Sequence, residues 1–270
     1  MVVPPLLIAH RAGNDAAQLL AAERAGADVI EADLHLRRGQ LELRHLKTVG
    51  PLPLYWDRWA LAPPWRRFER LEDLLAGADP ETVLMLDLKG SDPAVARLVA
   101  SALDRHRRGS RVLVSAREWR LLDEIDAGLA ERVASAARPG QLHSLVAHAR
   151  RQQLAGASLH LRLLASDHLP KLQAHVPLVM AWPVNRPEEA ARALRLGVEG
   201  LISDDLALIA RLRRERLSGG PAGGAQGVAQ GQRAERDQQR EHADGEVDER
   251  HSELHADAER DDAGSRGGLA

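Results

Sequence analysis

Short apolar runs recur through residues 1–217, at Leu6–Ala9, Asp28–Leu34, Val83–Leu88, Arg111–Ser115, Arg132–Ala136, Ser158–Leu161, Leu178–Trp182 and Gly200–Ser203. Their lengths, and their enrichment in β-branched residues, suit buried strands. Between most of them apolar residues return at helical spacing, over Ala16–Ala25, Pro93–Arg107, Glu118–Ala127, Gln141–Gln153 and Pro187–Leu196. Asp92-Pro93 and Arg186-Pro187 mark helix starts, and Gly197 follows a helix end. Eight strands alternating with helices predict an α/β fold, a (β/α)8 TIM barrel over residues 1–217. A doubly wound open sheet is the alternative, but it needs fewer strands and a Gly-rich first turn, and none follows Leu7.

Two stretches break the alternation. After Asp33 the chain reads LHLRRGQLELRH, a strand, a turn at Arg38-Gly39 and a short returning strand. Residues 46–68 then form a loop-like insert with Pro51, Pro53, Pro63 and Pro64, together with Tyr55, Trp56, Trp59, Trp65 and Phe68. These aromatics read as a cap packed on the barrel in preference to a lip that touches lipid, because large rings are usually buried where a core is available. Beyond Ser218 the chain changes character. Residues 218–270 hold no aromatic residue, six Arg and no Lys against twelve Asp plus Glu. Such a tail has too little apolar surface to offset its ordering entropy, so it is expected to be disordered. Its His242, His251 and His255 read as scattered solvated residues, not as a metal tract.

Removing the acidic tail changes the charge picture. The whole chain carries a net charge of −2, whereas residues 1–217 hold 31 basic and 27 acidic residues. A mildly basic body suits an anionic small molecule but is far from a nucleic-acid footprint. No cysteine is present, which excludes disulfides, thiolate metal sites and a cysteine nucleophile. No apolar run is long enough for a transmembrane helix, and MVVPPLLIAHRAG reads as a first strand, not a signal peptide. A cytoplasmic location is the default expectation.

The strand ends carry the candidate chemistry. One apolar run ends in His10-Arg11, the next in Glu31-x-Asp33, a third in Arg44-His45, and a fourth in Asp87-Leu88-Lys89. In a (β/α)8 barrel these ends form the active face. Alternation along a strand sends Glu31 and Asp33 to the same side, into the barrel mouth. Carboxylates so placed call for a cation, and Glu31, Asp33 and Asp87 make an all-oxygen cradle for one Mg²⁺ or Ca²⁺. His10 and His45, from different strands, read as a general acid and base. Arg11 and Lys89 suit phosphate oxygens.

These residues resemble the glycerophosphodiester phosphodiesterase family. HR, then a helix with A-x-x-A-G-A-D-x-I-E-x-D, then a strand ending in His, is similar to its first half. MAWPVNRPEEAARALRLGVEGLISDD resembles its late signature, with Trp182, Asn185, Gly197, Gly200, Ser203 and Asp204 in matching places, and Ser115 matches its fourth strand. The resemblance implies a (β/α)8 barrel that hydrolyses a small-molecule or lipid-derived phosphodiester to an alcohol and a phosphomonoester such as glycerol 3-phosphate. It implies His10 and His45 as the acid/base pair, Glu31, Asp33 and Asp87 as metal ligands, and Arg11 and Lys89 on the phosphate. Trp182 would line the pocket against the alcohol. Three positions depart from the pattern: Gly13 stands where a Glu is usual, Leu46 where an Asp is usual, and Asp87 where a Glu is usual. Asp87-x-Lys89 resembles the related sphingomyelinase D branch. The departures raise two alternatives, a phospholipase D-like activity on lyso-lipid headgroups with transient membrane contact, and a degenerate barrel that binds a phosphoester without turnover. No nucleic acid is expected as a partner.

Overall fold

The protein was analysed as a computed structural model that describes residues 4–48, 55–57, 60–62 and 66–218. The tail expected to be disordered lies outside the described residues from Gly219 onward, as does much of the 46–68 insert, including Trp59 and Trp65.

In chain order the elements are β1 (Leu6–Ala9), α1 (Ala16–Ala25), β2 (Val29–Arg37), β3 (Gln40–Leu43), β4 (Lys47–Thr48), β5 (Tyr55–Asp57), β6 (Ala60–Ala62) and α2 (Leu71–Gly77). There follow β7 (Val83–Leu88), α3 (Pro93–His106), β8 (Val112–Ala116), β9 (Glu131–Ala136), α4 (Pro139–Ala149) and β10 (Gly156–His160). The last are α5 (Leu169–Gln173), β11 (Val179–Trp182), α6 (Pro187–Arg195), β12 (Gly200–Ser203) and α7 (Leu206–Leu217). Strands β1, β12, β11, β10, β9, β8, β7 and β2 pair in that order, and β1 also pairs with β2, which closes the ring. All eight barrel pairings are parallel. The predicted (β/α)8 barrel is thus the observed fold. Among the described residues no helix is long and apolar enough to cross a membrane.

The barrel interior shows how the sequence builds a site. Its floor is a cluster of Ile8, Val29, Met85, Leu113, Val133, Met180 and Ile202, one residue from each of seven strands. Side chains alternate along a strand, so the residue two positions on faces the same way. Those residues are His10, Glu31, Asp87, Ser115, Ser135, Trp182 and Asp204, with Asp33 one step further along β2. A polar layer therefore stands directly on an apolar floor at the C-terminal mouth, as the fold requires of a site. A larger apolar core lies between the outer face of the sheet and the helices, with Leu7, Ile30, Leu84, Leu103 and Leu145 among its buried members. Each fully buried aliphatic side chain there contributes roughly 1.5–3 kcal/mol by its removal from water.

The ring is fastened where first and last elements meet. Asp28 accepts from the Leu7 amide at 2.8 Å and pairs with Arg213 at 3.0 Å and Arg216 at 2.9 Å, both from α7. Arg216 also donates to the Pro5 carbonyl at 3.2 Å.

The structure differs from the sequence expectation in two places. Glu118–Ala127 is not an α-helix; a 3₁₀ turn covers Trp119–Glu124. Leu121 and Leu122 are both buried, and the Trp119 indole is anchored on the Ser135 carbonyl at 2.9 Å. The insert is not loop throughout, since β4, β5 and β6 form an antiparallel sheet of their own. Of its aromatics, Tyr55 is buried edge-on against Phe68 with ring centroids 4.9 Å apart, beneath the guanidinium groups of Arg37 and Arg44, as the cap expectation has it for that ring. As expected, β2 runs on to Arg37 and turns at Arg38-Gly39, both with positive φ, into β3, the predicted hairpin in its I′ form.

Candidate active site

His10 follows β1, and its Nδ1 lies 2.8 Å from Asp204 Oδ1, while Nε2 is 4.0 Å from Glu31 Oε2. Asp204 is itself fixed by Asn185, whose amide donates to Asp204 Oδ2 at 3.1 Å and whose Oδ1 accepts from the Asp204 backbone at 2.9 Å. Burial works against charge on His10, but Asp204 and then Glu31 outweigh it and raise its pKa. Burial likewise opposes charge on Asp204, yet the His10 contact prevails and lowers its pKa to about 2. The pair holds His10 with Nδ1 committed to Asp204, which assigns Nε2 to the barrel mouth.

Asp33 is the most enclosed member, with no exposed surface. Its amide donates to Asn14 Oδ1 at 2.7 Å and its Oδ2 accepts from Asn14 Nδ2 at 3.0 Å, so Asn14 clamps both ends of the residue. His45 Nδ1 approaches the same Oδ2 at 3.3 Å, and the Lys89 ammonium contacts both Asp33 and Asp87. Burial alone would favour the neutral acid, but Lys89 and His45 override it and hold Asp33 well below the ordinary carboxylate range. Lys89 is in turn held charged: its desolvation is outweighed by Asp87 and Asp33. Asp87 Oδ1 accepts from the Ser115 hydroxyl at 2.7 Å. Glu31 is the strained partner. Burial, and next the charge of Asp33, push its pKa up to about 7.

The turn after β1 brings backbone as well as side chains to this cluster. Arg11 adopts a left-handed backbone, φ 60°, and its amide donates to Glu31 Oε2 at 2.6 Å. Its Nε is 3.8 Å from Asp33 Oδ2, buried and without a hydrogen-bond partner. Gly13 sits so close to β2 that a Cβ built there would lie 2.8 Å from the Ala32 Cβ and 3.2 Å from the Glu31 carbonyl. Only a glycine lets this turn press against the strand that carries both carboxylates. Gly13→Ala is therefore expected to lower stability by about 1–3 kcal/mol, the usual cost of overpacking; an unchanged thermal midpoint would show that the turn simply shifts aside. The Asp15 carboxylate caps α1 by accepting from the Ala17 and Gln18 amides.

Glu31, Asp33 and Asp87 converge, with ligand oxygens within 4.8 Å of one another. That spread matches oxygens sharing one shell at about 2.0–2.6 Å from a hard divalent cation. Three carboxylates face one ammonium, Asp33 Oδ1 is buried without a well-formed hydrogen bond, and Glu31 holds on to a proton; the cluster is short of positive charge. The donor set thus fits the predicted Mg²⁺ or Ca²⁺. A consequence follows for stability without metal. Glu31 keeps its proton in the folded chain up to about pH 7, against 4.5 for an unperturbed glutamate. The native state then binds more protons than the unfolded one across that window, so stability falls as pH rises through it. Glu31→Gln, which keeps an acceptor for the Arg11 amide, is expected to melt above the wild type in EDTA at pH 8, with a smaller gap at pH 5. A variant melting lower at pH 8 would show that Lys89 and His10 already neutralise the carboxylate.

Trp182 ends β11 on the far side of the mouth, edge-on to His160 with centroids 4.9 Å apart, and Arg117 lies 5.0 Å above its ring. The structure therefore gathers His10, Arg11, Glu31, Asp33, His45, Asp87 and Lys89 in one cluster, with Trp182 across the mouth. Lys89 is occupied by carboxylates, so its reach toward a phosphate runs through Asp33 and Asp87. The sequence assigned no role to Asn14, Asp204, Asn185 or Ser115. Parity with Ile202 on β12 was the signal for Asp204; Asn14 lies in an irregular turn that carries no such signal.

No family model matches the chain, and no curated protein matches it. Solved structures do. The glycerophosphodiester phosphodiesterase of Thermotoga maritima aligns with TM-score 0.64 at 15% identity, over 79% of this chain and all of the other. A putative glycerophosphoryl diester phosphodiesterase of Silicibacter pomeroyi gives 0.66 at 17%, over 80% and 95%. An Oleispira antarctica phosphodiesterase solved with sn-glycerol-3-phosphate gives 0.62 at 17%, over 78% and 97%. At such identities the likeness establishes the fold.

Proposed function

We propose that the chain is a phosphoric diester hydrolase that cleaves glycerophosphodiesters to an alcohol and glycerol 3-phosphate, with one Mg²⁺ or Ca²⁺ held by Glu31, Asp33 and Asp87. The observation that carries this reading is a pair of histidines at one carboxylate cluster, each with Nδ1 on a carboxylate: His10 on Asp204 at 2.8 Å and His45 on Asp33 at 3.3 Å. Two imidazoles so oriented divide acid and base work on a reacting phosphoryl group. One accepts the proton of the attacking hydroxyl and the other delivers a proton to the departing alkoxide. Arg11, with its unpartnered Nε, meets a phosphoryl oxygen, and Lys89 keeps Asp33 and Asp87 ionised and in place. The bound cation supplies Lewis acidity and charge neutralisation. The names of the barrel's structural neighbours, and the product found in one of them, support the same substrate class. We place the activity in the cytoplasm, on diesters released from lipids.

The full chain, assayed with Mg²⁺, Ca²⁺ or EDTA, should release glycerol 3-phosphate from glycerophosphoglycerol in a metal-dependent manner. Turnover confined to lysophosphatidylglycerol would favour the phospholipase D-like alternative. A folded protein that binds but cleaves neither these nor bis(p-nitrophenyl) phosphate would be the degenerate barrel.

A further inference from the structure

The side of the mouth opposite the carboxylates is basic. Arg117 lies one residue past β8, the strand that carries Ser115, yet its guanidinium sits over the ring of Trp182 on β11. With β9 and β10 between those strands, Arg117 must cross the opening of the barrel. His160, at the end of β10, meets the same ring edge-on, and Arg162 donates from both its backbone N and its Nε to His160 Nδ1 at 3.2 Å. Among the described residues no carboxylate pairs with Arg117 or Arg162; Glu118, next in sequence, pairs with Arg120 at 3.3 Å. Two guanidinium groups without a carboxylate partner among the described residues thus flank the Trp182 ring. The ring face that would attract a quaternary ammonium is already covered by a cation.

From this we infer that Arg117, His160, Arg162 and Trp182 form the subsite for the alcohol half of the diester, and that it selects an alcohol bearing a second anionic group, a phosphate or carboxylate, over a choline-type cation. The inference rests on the phosphodiesterase reading for which half of the ligand faces which wall. A ligand with its diester phosphate at the carboxylate–metal wall and a second anion at the arginine wall meets complementary charge at both ends. Guanidinium groups also offer paired donors to a terminal phosphate, which Trp182 alone does not. Because Arg117 and Arg162 are exposed, solvent screens them, and the selection is expected to be about two- to fivefold per arginine.

The test compares glycerophosphoinositol 4-phosphate, glycerophosphoinositol and glycerophosphocholine on the wild type, Arg117→Glu and Arg162→Glu. KM should rise in that order for the wild type, by about tenfold or more from first to last. Arg117→Glu should invert the order, and Arg117→Lys should restore it in part. Equal KM values for the three ligands, or an order that survives both charge reversals, would overturn the inference even if all three are cleaved. Calorimetric binding of the same ligands separates the two claims. If nothing is cleaved but binding keeps the charge order and loses it in Arg117→Glu, the subsite stands and the phosphodiesterase reading falls. Equal thermal midpoints across the variants show that folding is not the cause.

Discussion

His10→Ala and His45→Ala are each expected to lower kcat by about 10²–10⁴-fold, the range for loss of a positioned acid or base. The double variant should be little worse than the weaker single one, because groups that serve one proton-transfer cycle do not add. Asp204→Asn is the informative companion. Asp204 touches the reacting atoms only through His10, so its loss should move the pH profile and reduce kcat with less effect on KM. Steady-state rates over pH 5–9 check all three. Retention of wild-type kcat in either histidine variant would remove the two-histidine mechanism, whatever the fold.

The second large effect concerns Asp33. Asp33→Asn removes a proposed metal ligand and also strips Lys89 and His45 of their shared anion. Breaking one partner of a buried ion pair costs about 3–5 kcal/mol, because the remaining charge stays in low dielectric. The wild-type thermal midpoint should climb with added Mg²⁺ or Ca²⁺, since a ligand that binds only the native state stabilises it. Asp33→Asn should start lower and fail to respond. Should that variant not fold, Asp87→Asn offers the same comparison, since Asp33 and its ring of partners remain. A midpoint that responds to cation equally in wild type and both variants would place the cation elsewhere.

Much of this site is legible in the sequence because a barrel converts strand parity into geometry. Ile8, Val29 and Met85 point inward, and two residues later so do His10, Glu31 and Asp87. Nothing comparable governs the turn after β1. Asn14 bonds both ends of Asp33, and Gly13 is compressed against Ala32, yet neither follows from periodicity, because an irregular turn has none. Asp204 sat at a matching position in the family pattern, but its bond to His10 spans nearly the whole chain and depends on β12 lying beside β1. Apolar spacing does not separate the 3₁₀ turn at Trp119–Glu124 from an α-helix, because it does not register that Trp119 is anchored on β9.

That adjacency of β1 and β12 also sets a schedule. Leu6 pairs with Gly200, and Asp28 waits for Arg213 and Arg216. On the ribosome, the N-terminal strand emerges long before its second neighbour exists, with only β2 to cover one edge through Ile8 and Val29. Closure, and with it the His10–Asp204 contact, can come only when almost the entire barrel has been made. Such distant pairings are slow to form. The nascent chain therefore carries His10 without its carboxylate partner until translation has passed α7, and completes the proposed site in the same event that seals its sheet.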